Sequence, residues 1–503
     1  MRPATSSRLT FMERETVTMS SFFIEHHTDQ PEFNLLEEQD HQRMIEYAGS
    51  DALENKLTAT STSEYMAYPD FIYNGRPAGC MGPPITIYEK VFADITDDLA
   101  HLENLPDSNQ DILDEIGDFA NQSLETYSST FERESTLYHL IENLLGVEMI
   151  RNEDYSTFTD VKRHAVAKER DAIYLHVECK NELGMGGMER GALTMLRYIA
   201  NPKYAPIRNT TCCPCIHVSI AGPYISFGGS ILTDIYNFQP FTDYLFPGSY
   251  SYMASKTNHI AKVFGVFRSA LNKLRDKYKG LEYYGPMRKN RSRLFPQPAY
   301  LGDPNIQTLA FETRFLPHGC YYSPIRRALF LAKFGGQQVM VKFSERYSPD
   351  AHHAVAKAGL APKLLFHTRL RGGVHMAIME YIDGSDANRE FSRELPDDVI
   401  KQVEAAITIL HDMNLVHGGV RRSNILIKKE QASAAATDVD PARHAYRAYL
   451  VDFDRVSLAS VDRYTPFLNM VIYWPPGVRP GGLMEKEHDE VLLQRILRSG
   501  SEF

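Results

Sequence analysis

The segment Val416-His417-Gly418-Gly419-Val420-Arg421-Arg422-Ser423-Asn424-Ile425-Leu426, followed after an insert by Leu450-Val451-Asp452-Phe453-Asp454, carries residue types suited to phosphoryl transfer. That chemistry needs a carboxylate to orient the attacking hydroxyl, an Asn a few residues later for a metal ion, and a second carboxylate for the Mg2+ on the phosphates. Asn424 and Asp452 stand in register for the two metal-holding roles. Gly419 stands where the orienting carboxylate is required. A second group is Asp160 with Glu178-Cys179-Lys180. Side chains at i and i+2 of a strand share a face, so Glu178 and Lys180 point the same way. With a further carboxylate from Asp160, and a third acidic ligand from Glu142, such a pair can hold Mg2+ and activate a water against a phosphodiester. The plainer reading of Glu178 and Lys180 is a surface ion pair on an amphipathic strand.

Local patterning supplies elements to position both groups. Leu137, Leu140, Ile141, Leu144 and Leu145 recur at helical spacing, with Gly146 as the stop. Strands are expected near 147–150 and 173–180. A glycine-rich turn at Gly184, Gly186 and Gly187 then leads into a helix over about 189–200. Two β-rich runs, 216–221 and 224–232, flank a Gly222-Pro223 turn. The stripe Ile260, Val263, Phe264, Phe267, Leu271, Leu274 and Tyr278 predicts a long helix over 257–278. Further on, Gly335-Gly336 predicts a turn between strands, the second being Val339-Met340-Val341-Lys342-Phe343. A helix over 403–413 precedes the Gly419 loop. Ile425-Leu426-Ile427 and Tyr449-Leu450-Val451 predict a hairpin split by an Ala/Ser/Asp-rich insert near 430–444.

The chain has 503 residues, 43% hydrophobic, enough for more than one core. Its net charge of −10 provides no global positive field for nucleic acid, so any such contact must be local. The cysteines, Cys80, Cys179, Cys212, Cys213, Cys215 and Cys320, show no paired framework, which suits a reducing compartment. Cys212-Cys213-Pro214-Cys215 reads either as half of a zinc site or as small apolar residues entering a strand. Glu13, Arg14 and Glu15 interrupt any signal-peptide core, and no window has the apolar length of a membrane span. A cytoplasmic or nuclear protein without membrane contact is expected. The cluster Arg288-Lys289-Asn290-Arg291-Ser292-Arg293 reads as a solvated linker, with a phosphate contact or nuclear address as the alternative.

Over roughly 310–498 the sequence resembles a protein-kinase-like domain of a type common in fungi. The motifs are Val341-Lys342, Ala361-Pro362-Lys363-Leu364, Met379-Glu380-Tyr381, Leu410-His411, Val416-His417-Gly418, Asn424-Ile425-Leu426, Val451-Asp452-Phe453-Asp454, Pro480-Gly481-Gly482-Leu483-Met484 and His488-Asp489. The resemblance implies that Lys342 pairs with ATP phosphates and that hinge backbone at Glu380 and Ile382 meets the adenine. It further implies that Asn424 and Asp452 hold Mg2+ and that Asp489 braces the catalytic loop. Three departures oppose catalysis. Gly419 replaces the catalytic Asp, no glycine-rich loop precedes Lys342, and the following helix offers His352 and His353 but no Glu.

Residues 130–200 resemble the PD-(D/E)XK nuclease superfamily, with Thr159-Asp160 for Pro-Asp and Glu178-Cys179-Lys180 for the Glu-x-Lys signature. A Gln common in such nucleases is replaced by Glu189 or Arg190. Fusions of this kind resemble the C-terminal toxin modules of Crinkler-type effectors. The expected fold is α+β and multidomain. A helical, partly disordered extension covers 1–125, an α/β nuclease-like domain 126–285, a linker 286–305, and a bilobal kinase-like domain with a short C-lobe 306–503. The implied function is a pseudokinase that binds ATP, joined to a Mg2+-dependent nuclease-like domain able to meet nucleic acid. An active Ser/Thr kinase with an unconventional loop, or a non-enzymatic interaction protein with both folds degenerate, are the alternatives.

Overall fold

The computed structural model describes residues 33–48, 72–73, 82–151, 165–183, 187–248, 254–282, 290–297, 308–315, 328–430, 445–468 and 472–498. Along the first half run α1 (Phe33–Ala48), β1 (Ile72–Tyr73), α2 (Lys90–Ala100), α3 (Gln110–Leu124), α4 (Thr130–Leu145), β2 (Ile150–Arg151), β3 (Ala165–Glu169) and β4 (Ala172–Lys180). They are followed by α5 (Gly187–Ala200), β5 (Cys215–Ala221), β6 (Tyr224–Leu232), β7 (Tyr236–Pro240) and α6 (Ala254–Lys279). The strands form one mixed sheet in the order β1-β7-β6-β5-β4-β3-β2. β4 and β5 pair in parallel, because α5 carries the chain back between them. β3–β4 and β5–β6 are antiparallel hairpins.

Local chemistry accounts for the helix ends. Ser129 caps α4 by accepting the Glu132 N–H, while the Glu132 carboxylate returns to Ser128 N. Gly146 then ends the helix with φ +63°, a left-handed turn that glycine takes without a Cβ clash. Every residue of β4 is buried, as expected of a central strand covered on both faces. The α6 stripe is buried as its spacing predicts, from Ile260 to Tyr278.

Residues 85–124, assigned from sequence to the N-terminal extension, are part of this packing. Phe92 of α2 and Phe119 of α3 are buried, with rings against Phe241 and Phe264. Lys273 of α6 bonds Asp94 at 2.8 Å and Lys277 bonds Glu89. Part of the linker is packed as well. Arg293 is buried against Glu38 at 2.8 Å, and Asn290 donates to the Asn209 and Thr210 carbonyls. Arg293 is therefore a structural side chain, not a solvated one. Cys212, Cys213 and Cys215 are buried thiols whose pKa values burial pushes up, so the apolar reading of that run holds.

The second half opens with a five-stranded sheet: β8 (Ala310–Arg314), β9 (Leu329–Phe334), β10 (Gln337–Ser344), β11 (Leu364–Arg369) and β12 (His375–Glu380), with α7 (Pro349–Lys357) between β10 and β11. Its order is β11-β12-β10-β9-β8, antiparallel throughout. The Gly335-Gly336 turn has positive φ at both residues, the geometry a tight two-residue hairpin requires. Then come β13 (Ser385–Asp386), α8 (Asp397–Asp412), β14 (Leu415–Val416), β15 (Ile425–Glu430), β16 (Ala445–Leu450), β17 (Ser457–Leu458) and α9 (Lys486–Arg498). β15 and β16 form the expected hairpin, Ile425 opposite Leu450. The 431–444 insert lies outside the described residues.

One apolar cluster runs from the seven-stranded sheet into the five-stranded one, through Phe330, Val339, Val341 and Ile378. Buried Arg314 of β8 bonds Asp234 at 2.8 Å, and Arg371, before β12, reaches Asp94 at 3.0 Å. A second cluster joins α7, α8, β15, β16 and α9. Among the described residues no helix is long and apolar enough to cross a membrane.

Candidate functional site

Lys342 lies near the middle of β10, opposite Ala377 of β12, and is only 8% exposed. Its ammonium is bonded to Asp452 and lies 2.8 Å from Asp454 Oδ2. Burial by itself would lower the Lys342 pKa; the Asp452 and Asp454 carboxylates overcome it and hold the value above the ordinary lysine range. Sequence reasoning named Lys342 and Asp452 for nucleotide and metal, and the fold brings them together. It gave Asp454 no role. In place of a helix carboxylate, Lys342 has Asp454, supplied from the loop after β16.

That loop is held on several sides. Asp452 has φ +74°, a conformation that costs an ordinary side chain roughly 1 kcal/mol and persists where surroundings impose it. Val451 N donates to the Asn424 carbonyl at 3.0 Å. Phe453 is buried with its ring stacked on His352 at 4.4 Å and edge-on to His417 at 5.9 Å. His352 bonds the Pro362 carbonyl at 2.7 Å and the Tyr347 hydroxyl at 2.5 Å. Burial lowers its pKa to about 4, which keeps the ring neutral. The helix position without a Glu therefore serves packing.

Beneath the loop, Asp489 of α9 is fully buried. Its carboxylate accepts the His417 N–H at 2.6 Å and the Gly418 N–H at 2.9 Å. This is the bracing contact expected from sequence. Asn424 donates from Nδ2 to the Gly419 carbonyl at 2.9 Å. Gly419 is buried, and a Cβ built on it would meet Asn424 Nδ2 at 3.6 Å and the His417 ring at 3.8 Å, ordinary contact distances. An added Cβ is not excluded there by space.

Glu380, at the end of β12, exchanges bonds with Lys363: its N–H donates to the Lys363 carbonyl at 2.9 Å, and its carboxylate accepts the Lys363 N–H at 3.3 Å. Ile382 is buried just beyond. The connection between β8 and β9, where a loop would cover bound phosphates, lies largely outside the described residues.

In the seven-stranded sheet Glu178 and Lys180 share a face of β4, each 6% exposed, with Lys180 Nζ 2.6 Å from Glu178 Oε1. The surface-pair reading is overturned, since both charges are buried. Gly191 of α5 sits against the His176 ring and the Glu178 carboxylate, so α5 covers this face. The next strands carry the polar row onward: Ser219 lies opposite Glu178, and Ser226 opposite Ser219. Asp160 and the side chains of Glu189 and Arg190 lie outside the described residues. Glu142 is committed elsewhere, its Oε1 accepting the Met149 N–H at 2.6 Å just past the end of α4. The α4 carboxylate that faces β4 is buried Glu134. After burial, it is the strongest influence raising the pKa of Cys179 to about 12 and that of Tyr138. Among the described residues no three His, Cys, Asp or Glu side chains converge as a metal cage.

No family model matches the sequence, and no curated protein does. Among solved structures, the chain is similar to the kinase PK-1 of Cydia pomonella granulovirus. That match has 17% identity and a TM-score of 0.28, and covers 38% of this chain and 69% of that one. It is similar also to the PknI kinase domain of Mycobacterium tuberculosis, in a double-mutant form, at 16% identity and a TM-score of 0.24, over 39% of this chain and 76% of that one. Both are kinases.

Proposed function

We propose that residues 306–503 are a protein-kinase-like module that binds ATP with Mg2+ and transfers phosphate poorly or not at all. The observation that carries this reading is the pairing of buried Lys342 with half-buried Asp452 beside a loop whose acceptor-orienting position is Gly419. Lys342 would meet the nucleotide phosphates. Asp452 and the Asn424 oxygen are hard donors that suit Mg2+, which when bound would neutralise phosphate charge. Hinge backbone at Glu380 and Ile382 would hold the base. Losing a positioned acid–base group costs roughly 10²–10⁴ in rate, so binding outlasts transfer. In a thermal-shift experiment on the full chain, Mg-ATP raises the melting temperature of the wild type and leaves Lys342→Met unchanged. An equal shift in both would refute the assignment. Robust phosphorylation of a general acceptor by the wild type would instead favour an active kinase with an unconventional loop.

A second reading concerns residues 126–285, into which 85–124 are packed. We infer a Mg2+-dependent nuclease-like site at Glu178 and Lys180, favoured by the burial of that pair on one strand face. Breaking a buried pair typically costs about 3–5 kcal/mol, so a chain keeps one for fold specificity or for chemistry. The antiparallel β3–β4 pairing puts Ala165 opposite Val177. Asp160 is five residues earlier, within a reach of roughly 17 Å for extended chain. Glu134 replaces Glu142 as the helix carboxylate in this proposal. Plasmid nicking that needs Mg2+ and disappears in Glu178→Ala and Lys180→Ala supports it. Equal nicking by wild type and variants would refute it, and no activity or ligand response at either site would leave an interaction protein.

A further inference from the structure

Asp454 stands two residues beyond the proposed metal carboxylate, and it has turned inward to the same ammonium as Asp452. The Lys342 ammonium is thus shared between two carboxylates, whose side chains are 21% and 26% exposed. An incoming triphosphate brings more negative charge to a lysine already doubly countered. It can reach the third N–H of Lys342 only against the like charge of both carboxylates, or take the lysine over by displacing one of them. A divalent cation resolves the conflict, since both carboxylates can turn to it while Lys342 turns to phosphate. Asp452, with φ +74°, and Asp454 lie two residues apart and meet the same ammonium, so the exchange is a local one.

Resting on the nucleotide-site reading above, we propose that Asp454 is an internal competitor of nucleotide phosphate. It locks Lys342 in the metal-free protein and releases it when the two carboxylates bind a divalent cation, so that nucleotide and metal bind as a coupled pair. Asp454 is a positioning residue here, acting through Lys342.

The test uses the full chain, wild type and Asp454→Asn, with Asp454→Ala as a second variant. Two quantities are measured. One is ATP affinity in EDTA and in excess Mg2+. The other is the acylation rate of Lys342, read by peptide mass spectrometry without nucleotide. In the wild type, Mg2+ is expected to raise ATP affinity strongly and to speed Lys342 labelling. In Asp454→Asn, labelling is fast without metal and ATP affinity in EDTA rises about tenfold, the effect of removing one charge-assisted bond to the lysine. Identical labelling and identical metal dependence in wild type and both variants would overturn the lock while Mg-ATP binding upheld the site. Variant-dependent labelling with no ATP binding by any form would uphold the lock and remove the nucleotide reading.

Discussion

Gly419→Asp restores to the loop the carboxylate its frame lacks, and its outcome can be worked from the structure. The Cβ falls at 3.6 Å from Asn424 Nδ2 and 3.8 Å from the His417 ring, and Gly419 is not among the residues with positive φ. The Cβ itself meets no overlap, and the backbone there is not left-handed. Replacing glycine restricts the unfolded chain, a gain of about 0.4–1 kcal/mol where the native backbone is permissive. Against this stands the desolvation of a new carboxylate at a buried position, of order 1–3 kcal/mol when it finds a donor such as the Asn424 amide, 3.6 Å from the Cβ. The net change in stability is therefore a loss of between about 0 and roughly 2.6 kcal/mol. On activity, a positioned base is worth roughly 10²–10⁴ in rate, or about 3–5 kcal/mol of barrier. The assay is transfer of labelled phosphate from ATP to a general protein acceptor, with the Gly419→Asp/Lys342→Met double variant as background. A rise of about 10² or more over wild type, abolished in the double variant, is expected. A variant that binds Mg-ATP as the wild type does, yet transfers no more than background, would refute the claim that the missing carboxylate is what silences the site.

Three further outcomes follow from the buried groups. Glu178→Leu and Lys180→Met each leave an uncompensated buried charge, at a cost of about 3–5 kcal/mol, while the double variant loses much less than their sum; additive changes in a melting series would show the pair is not coupled. Asp489→Asn replaces an acceptor of two backbone N–H groups with a side chain that can serve only one, and about 2 kcal/mol of stability is lost together with Mg-ATP binding; unchanged binding would show that the brace does not shape the loop. Buried His352 titrates at about 4 when folded and near 6.5 when unfolded, so the unfolded chain binds the extra proton between those values. Stability is full above pH 6.5 and falls by roughly 3 kcal/mol toward pH 4 from this group alone. His352→Phe should flatten that part of the stability profile, and an unaltered profile would count against a neutral buried ring.

The parts legible in the sequence were those fixed by short periodicities. Strand alternation put Glu178 and Lys180 on one face, helical spacing gave the α4 and α6 cores, and the order of Lys342, Asn424 and Asp452 anticipated one site. What escaped depends on level and turn. Glu134 and Glu142 lie eight residues apart on one helix, about 12 Å along its axis, and no local pattern tells which is level with the end of β4. Glu142 was chosen, and it bonds past the helix end instead. Asp454 escaped because its contact with Lys342 is made across 112 positions of chain, from a loop whose path no local pattern sets. Residues 110–124 and the strands β3 and β7 were missed; only five residues long, the two strands are shaped by pairing with β4 and β6 more than by their own propensity. The 286–305 stretch reads as a linker from its Gly, Pro and charge, yet Arg293 is buried by a partner, Glu38, some 250 positions away.

Calorimetric titration of Mg-ATP into the full chain, beside Lys342→Met, tests the central claim most directly. Saturable binding by the wild type at one site per chain, absent from the variant and with no phosphate transferred during the titration, is the predicted result. Binding of equal strength in both proteins, or no heat from the wild type at any nucleotide concentration reached, would contradict it.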